Sequence, residues 1–289
     1  MPKHTEISVV MTAHGKPERL ALALAGVTGQ KGVSFEHIVV ADGASDDVLS
    51  EIKKGQRHSP IRLIETENKG RANARNIGAA TAGSDIIVFL DDDILIENDF
   101  LVCHLDAQRR NPGLVKGKLR EVVGLIKVQD PSQGGLGCKP IDIRELRGGM
   151  WSRLGIRTFA NALEQAVEQE VCQHVPWIAS AGANLSIPRQ VWQDIGGFDS
   201  GFGVDWGLED IDFGYAVHAR GVPISFCADA LGLHMTHGRP SRWKEQDRNW
   251  QRFLAKTADP CANALRYLLA PDGSAKRFSE AVDHIRQQG

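Results

Sequence analysis

Three carboxylates in a row, Asp91-Asp92-Asp93, stand at the end of the run Asp85 to Leu90 (DIIVFL) and are followed at once by Ile94-Leu95-Ile96. A short apolar run of this kind reads as a buried strand. A buried strand that stops in three acids must have its carboxyl end at a polar rim, because adjacent like charges cannot share an apolar core. Their repulsion calls for a counter-charge, most simply Mg²⁺ or Mn²⁺ held by one or two of them. Alone, the triplet also reads as a solvated acidic turn, so its meaning depends on the rest of the chain.

The residues before it alternate apolar runs with amphipathic or small-residue stretches, the pattern of a parallel sheet covered by helices. Strands are expected at Ile7 to Thr12, His37 to Ala41, Ile61 to Glu65 and Asp85 to Leu90, with helices at Pro17 to Leu24, after the Asp42 turn to about Lys54, and at Asn68 to Ala82. In open α/β sheets ligands bind outside the carboxyl ends of strands, so the polar clusters at Asp42 and Asp91 should share one pocket. Further on, strands are expected at Leu114 to Val128, Pro223 to Ala228 and Ala230 to Met235, and helices at Gln190 to Ile195 and Glu209 to Arg220, the latter closed by Gly221. Past Pro240 the pattern is helical, broken at Pro260 and Pro271.

Between the third and fourth strands, Arg71 and Arg75 are four apart and share a helix face. Arginine's planar fork suits a polyanion. An arginine pair beside a metal-binding triplet suggests a diphosphate, whereas alone it reads equally well as a solvated basic face. The charge balance fits a small anionic partner and no broad one: 34 Lys plus Arg against 36 Asp plus Glu leave a net charge of −2. That excludes the basic footprint of a nucleic-acid-binding protein. No segment approaches the roughly 20 apolar residues that span a bilayer. The start, MPKHTEISVV, shows no secretory signal, and a cytoplasmic protein is expected. The five cysteines, Cys103, Cys138, Cys172, Cys227 and Cys261, contain no C-x-x-C pair and read as reduced thiols.

In order and spacing, ISVVMTAHGKPERL, HIVVADGASDD and NKGRANARNIGAATAGSDIIVFLDDD resemble the nucleotide-sugar-binding half of the family-2 glycosyltransferases. The resemblance covers residues 5 to 100. It implies the GT-A fold, a Rossmann-like, mostly parallel central sheet flanked by helices. It further implies that Thr12, Ala13 and His14 lie along the base and ribose of a nucleotide, and that Asp42 accepts a hydrogen bond from the base. Asp91 and Asp93 match the family's D-x-D, with Asp91 and its neighbour Asp92 on the donor and Asp93 as metal ligand. His14-Gly15-Lys16 departs from the family, many members of which carry an aromatic residue or an Asn-Arg pair there.

Residues Gly196 to Asp199 and Asp205-Trp206-Gly207-Leu208-Glu209-Asp210 resemble the acceptor-side block of the same fold, especially the W-G-x-E-D of metal-dependent galactosyl- and N-acetylgalactosaminyltransferases. That implies Asp210 as general base, Glu209 orienting acceptor or base, and Trp206 offering a face to an acceptor sugar. A histidine beyond this block completes the metal site in such proteins, which points to His234, with His237 as second choice. Arg239 and Lys244 are then expected to close over the diphosphate. The organisation implied is a GT-A domain over residues 1–240, with its acceptor half at about 175–240, and a helical extension over 241–289 packed on it. Basic residues and tryptophans recur in that tail, which reads as packing on the domain in preference to resting on a membrane.

The expected activity is an inverting, metal-dependent transfer of sugar from a nucleoside-diphosphate donor, with UDP-sugar favoured, to a hydroxyl of a glycan, lipid-linked, peptide or small-molecule acceptor. Pro131 to Cys172, with Trp151, is the expected acceptor-specific insert. The alternatives are a non-catalytic sugar-nucleotide-binding scaffold and a metal-dependent nucleotidyltransferase. A nicotinamide oxidoreductase is disfavoured because no G-x-G-x-x-G follows the first strand.

Overall fold

The computed structural model describes residues 5–123, 155–180, 184–236 and 241–288. Strand and helix alternate through β1 (Ile7–Ala13), α1 (Pro17–Thr28), β2 (Phe35–Asp42), α2 (Asp46–Gly55), β3 (Ile61–Thr66), α3 (Arg71–Thr81) and β4 (Ile86–Asp91). The four strands lie parallel in the order β3-β2-β1-β4. Parallel neighbours need crossovers, and the three helices supply them on the two faces of the sheet. Every residue of β1 is buried, as a strand covered on both faces requires. One face packs under α1 and α2 through Leu20, Leu24, Val48 and Ile52. The other packs under α3 through Ala72, Ala74 and Ala79. Gly78 lets α3 sit on β1, since a Cβ there would meet Val10 Cγ1 at 2.3 Å.

Beyond β4 come β5 (Ile94–Ile96), α4 (Phe100–Arg110), β6 (Leu114–Val123), β7 (Arg157–Phe159), α5 (Ala162–Val167), β8 (Asn184–Pro188), α6 (Arg189–Ile195), α7 (Glu209–Ala219) and β9 (Ile224–Met235). The sheet continues β4-β8-β6-β9-β5, with β7 paired to β6. Here the pairing is mixed: β8 runs antiparallel to β4 and β6, and β9 runs parallel to β6.

Two details depart from expectation. A single strand, β9, replaces the two short strands expected around Asp229. The irregularity is absorbed as a register shift against β6 between Gly117 and Leu119, and Ala230 is fully buried, so no turn is needed. Ile94–Ile96 forms β5, antiparallel to β9. That pairing carries the segment after the acids towards the second half of the chain. The expected extension of β6 to Val128, residues 131–154 of the expected insert with Trp151, and Cys138 lie outside the described residues. The other four cysteines form no disulfide.

The C-terminal elements are α8 (Arg242–Lys256), a 3₁₀ segment (Pro260–Tyr267) and α9 (Ala275–Gln288). Phe253, Leu265 and Phe278 share a buried cluster with Trp177 and Ile211. Basic residues of α8 pair with acids ahead of α7: Arg248 with Asp205, and Arg252 and Lys256 with Asp199. Among the described residues, no helix is long and apolar enough to cross a membrane.

Candidate active site

Because β1, β2 and β4 are parallel, their carboxyl ends deliver Thr12, Asp42 and Asp91 to one rim. Thr12 and Asp91 are register partners, and the Thr12 hydroxyl donates to Asp91 Oδ1 at 3.3 Å. Asp42 is buried, its two oxygens accepting the backbone N–H groups of Lys69 and Gly70, each at 2.9 Å. It thereby pins the turn that leads into α3. Gly70 takes φ +92° there, and a Cβ would lie 1.8 Å from the Gly203 carbonyl oxygen. His14 Nδ1 is 2.7 Å from the Asp42 carbonyl oxygen. Thr12, His14, Asp42, Arg71 and Asp91 to Asp93 line one cavity of about 430 Å³. Ala13, expected beside the nucleotide, is fully buried in the core of the sheet.

The three acids take different positions. Asp92 Oδ2 accepts the N–H groups of His14 at 3.0 Å and Gly15 at 2.7 Å, closing the turn after β1. Burial and the neighbouring Asp93 charge push its pKa up to about 6. Asp93 faces across to β9, where its Oδ2 lies 3.2 Å from His234 Nε2. The other nitrogen of that ring, Nδ1, lies 2.8 Å from Glu121 Oε2. Burial disfavours charge on His234, but the two carboxylates outweigh it and raise its pKa to about 10. Burial likewise works against Glu121, which the His234 hydrogen bond and charge hold at about 2.

A divalent cation fits between Asp93 and His234. A carboxylate oxygen from the turn after β4 and an imidazole nitrogen from β9 converge to 3.2 Å, the oxygen and nitrogen donors that such a cation takes. Among the described residues no third His, Cys, Asp or Glu completes a cage. Mg²⁺ and Mn²⁺ commonly fill the remaining positions with water and substrate oxygens. His237 and Arg239 lie outside the described residues, and Lys244 is exposed on α8.

Arg75 joins the two halves of the site. It is 4% exposed, donating from Nη1 to Glu209 Oε1 and from Nη2 to Asp91 Oδ1, both at 3.1 Å. Burial opposes its charge, but Asp91, Glu209 and Asp210 more than offset that and hold its pKa above the ordinary arginine value. Expected as a diphosphate contact, Arg75 has its fork on carboxylates, whereas the half-buried Arg71 lines the cleft on both sides.

The acids Glu209 and Asp210 open α7 behind Leu208, the one described non-glycine residue with positive φ, at 76°. Such backbone strain persists only where the surroundings impose it. Here α8 does so: Glu245 accepts the Trp206 N–H at 3.0 Å, and Asn249 donates to the Gly207 carbonyl at 2.9 Å. Burial opposes the Glu209 charge, but Arg75 and Arg71 hold its carboxyl below the usual range, while its Oε2 has no hydrogen-bond partner. Asp210 is half-buried and lines a second cavity of about 180 Å³ with Asp93, Glu121, His234, Trp206 and Arg242. One face of Trp206 is covered by the Arg242 guanidinium, 4.0 Å from the ring centroid, and the same group lies 4.8 Å from the Trp243 ring.

Sequence reasoning missed Glu121, Arg242, Glu245 and Asn249. The last two are four apart on one helix face, and Glu121 is an acid inside a strand, so local signals existed without indicating a partner. A larger depression of about 870 Å³, lined by Cys172, His218 and Phe226 among others, shares no residue with these cavities.

The fold and its cleft define a GT-A glycosyltransferase architecture. Residues 8–133 match the family described as Glycosyl transferase family 2. The chain is 26% identical over 270 residues to the uncharacterized glycosyltransferase YfnE of Bacillus subtilis, covering 83% of this chain and 67% of that protein. It is also 26% identical over 251 residues to a validoxylamine A glucosyltransferase of Streptomyces hygroscopicus, covering 81% of this chain and 56% of the relative. The chain thus spans between about half and two thirds of these curated relatives. Among solved structures, the mannosyltransferase PcManGT from Pyrobaculum calidifontis, in complex with GDP-Man and Mn²⁺, superposes with a TM-score of 0.61 at 15% identity, covering 100% of this chain and 76% of that one. The family-2 match over residues 8–133 and these relatives support a glycosyltransferase, and the solved structure supports the GT-A fold.

Proposed function

We propose that this chain transfers a sugar from a nucleoside-diphosphate donor to an acceptor hydroxyl with inversion at the anomeric carbon, and that it requires a divalent cation. The observation that carries this reading is one cleft in which Asp93 and His234 face each other at 3.2 Å while Asp210 lines the same cavity. The donor lies in the cavity of about 430 Å³, its nucleoside along Thr12, His14 and Asp42 and its ribose at Asp91. Arg71 meets the diphosphate from the helix side. Asp93 and His234 hold Mn²⁺ or Mg²⁺, which supplies positive charge against the leaving diphosphate. Asp210 takes the proton from the acceptor hydroxyl as that oxygen attacks the anomeric carbon, and the bond from that carbon to the diphosphate oxygen breaks in the same displacement. Glu209, fixed by Arg75, keeps the start of α7 aimed at the cleft, and Trp206 bounds the acceptor side.

A UDP-sugar is the favoured donor, on the resemblance of the Trp206 to Asp210 block to galactosyl- and N-acetylgalactosaminyltransferases. The test is a panel of UDP- and GDP-sugars with Mn²⁺, reading released nucleoside diphosphate, with EDTA as the paired arm. Release above background that EDTA abolishes and Mn²⁺ restores is the expected result. Donor binding with no release from any member would favour a sugar-nucleotide-binding scaffold, and release unaffected by EDTA would remove the metal from the reading.

A further inference from the structure

We propose that Glu121 is the positioning residue of the metal site, fixing the ring of His234 so that its Nε2 lone pair points at the cation held with Asp93. The inference rests on Asp93 and His234 as the metal ligands. It begins in the sheet. β6 and β9 run parallel with Glu121 and His234 as register partners, while β5 pairs with β9 through Ile94 and His234. The backbone therefore sets Glu121 on one side of the imidazole and Asp93, the residue before Ile94, on the other.

The side chains complete this arrangement. Glu121 Oε2 lies 2.8 Å from His234 Nδ1 and accepts the Thr236 hydroxyl at 2.7 Å, while its Oε1 accepts from Asn161 Nδ2 at 2.9 Å. Asn161 is itself anchored, since its side-chain oxygen caps α5 by accepting the Glu164 N–H at 3.0 Å. A carboxylate held at three points on strand, loop and helix cap cannot swing freely into the cavity. With a cation in place of the proton between Nε2 and Asp93, an imidazole that keeps its Nδ1–H on such a carboxylate would offer its lone pair from Nε2, the nitrogen facing Asp93. Carboxylates in this outer position orient histidine ligands and strengthen them as donors, and losing one typically weakens metal affinity about 10- to 100-fold.

The experiment titrates Mn²⁺ alone into the full chain, counting free Mn²⁺ by electron paramagnetic resonance, with thermal unfolding run on every variant. Asp93→Asn and His234→Ala should each abolish tight binding. Glu121→Ala should weaken it about 10- to 100-fold. Glu121→Gln, which keeps the size of the side chain and so serves if the alanine variant does not fold, should weaken it about tenfold. In Mg²⁺-loaded protein, side-chain ¹⁵N spectra should find the His234 hydrogen on Nδ1, and Glu121→Ala should lose that preference, a change that mere loosening of the sheet would not produce. Unchanged Mn²⁺ affinity in both Glu121 variants, with loss in Asp93→Asn and His234→Ala, overturns the role of Glu121 and leaves the metal site standing. Full affinity in Asp93→Asn and His234→Ala overturns the metal site itself, and the role of Glu121 with it.

Discussion

Arg75 donates to Glu209 Oε1 at 3.1 Å, joining a helix of the first half of the chain to the start of one 134 residues later. Its second nitrogen holds Asp91, so one guanidinium fixes the acid that ends β4 and the acid that opens α7 as one electrostatic unit. Removing it would leave Glu209 buried without its hydrogen-bonded counter-charge, with only the half-buried Arg71 to offset it. Breaking a buried pair from one side costs about 3–5 kcal/mol. Arg75→Met should lower the stability measured by urea unfolding by about that amount, and Arg75→Lys by less, because an ammonium cannot bridge both acids with a planar fork. A loss under about 1 kcal/mol for Arg75→Met would show that the strut is not structural.

Asp210→Asn keeps the shape of the side chain and its bond to the Ile211 N–H but removes the proton acceptor. General-base catalysis contributes about 10²- to 10⁴-fold, and a group acting in the transition state affects kcat more than ground-state binding. Turnover should fall in that range while donor affinity by calorimetry stays within a few-fold. Near-normal turnover would remove Asp210 from the mechanism.

Acid should destabilise this protein through two buried histidines. Burial lowers the pKa of His37 to about 3, and burial together with the Lys116 charge lowers that of His104 to about 4, from 6.5. Between those values and 6.5 the unfolded chain binds protons that the folded chain refuses, so stability falls as pH falls. Each histidine contributes up to about 1.4 kcal/mol per pH unit in that window. Urea unfolding between pH 7 and pH 5 should show this slope, reduced by Asp92, whose raised pKa makes the folded chain the better proton binder below about pH 6. His37→Leu should flatten it, since neither His37 nitrogen has a hydrogen-bond partner to lose.

Gly70→Ala tests the contact between the turn before α3 and the Gly203 loop. At φ +92° a side chain is strained by about 1–3 kcal/mol, and a Cβ would in addition fall 1.8 Å from a carbonyl oxygen. We expect loss of stability together with weaker donor binding, because the same turn is held by Asp42. A thermal midpoint within a degree of wild type would contradict the packing described.

The first half of the chain was legible because its signals are local. Apolar runs of strand length, the polar turn from Asp42 that leads into α2 and the carboxylates ending β4 each lie within a few residues of what they specify. The sequence points to Asp42, and it lines the cavity with Thr12 and Asp91, although its backbone partners at Lys69 and Gly70 could not be read from the residues around it. Arg75 was placed on the right helix as an anion contact, and the structure sets its fork on two carboxylates, since which anion an arginine meets depends on what folds against it. The single β9 was not legible for a related reason: a register shift absorbed by a partner strand leaves no local mark.

From the order of residues alone follow the alternating strands and helices, the rim of acids at the end of β4 and the arginine pair on the helix before it. Those follow from periodicity and charge, which act over neighbouring residues. The tie from Asp91 through Arg75 to Glu209, the approach of Asp93 to His234, and Glu121 behind that histidine come from strand order and register. Hydrogen bonds and ion pairs act over about 3 Å, and residues separated by more than a hundred positions reach that distance only when the sheet has set which strand lies beside which.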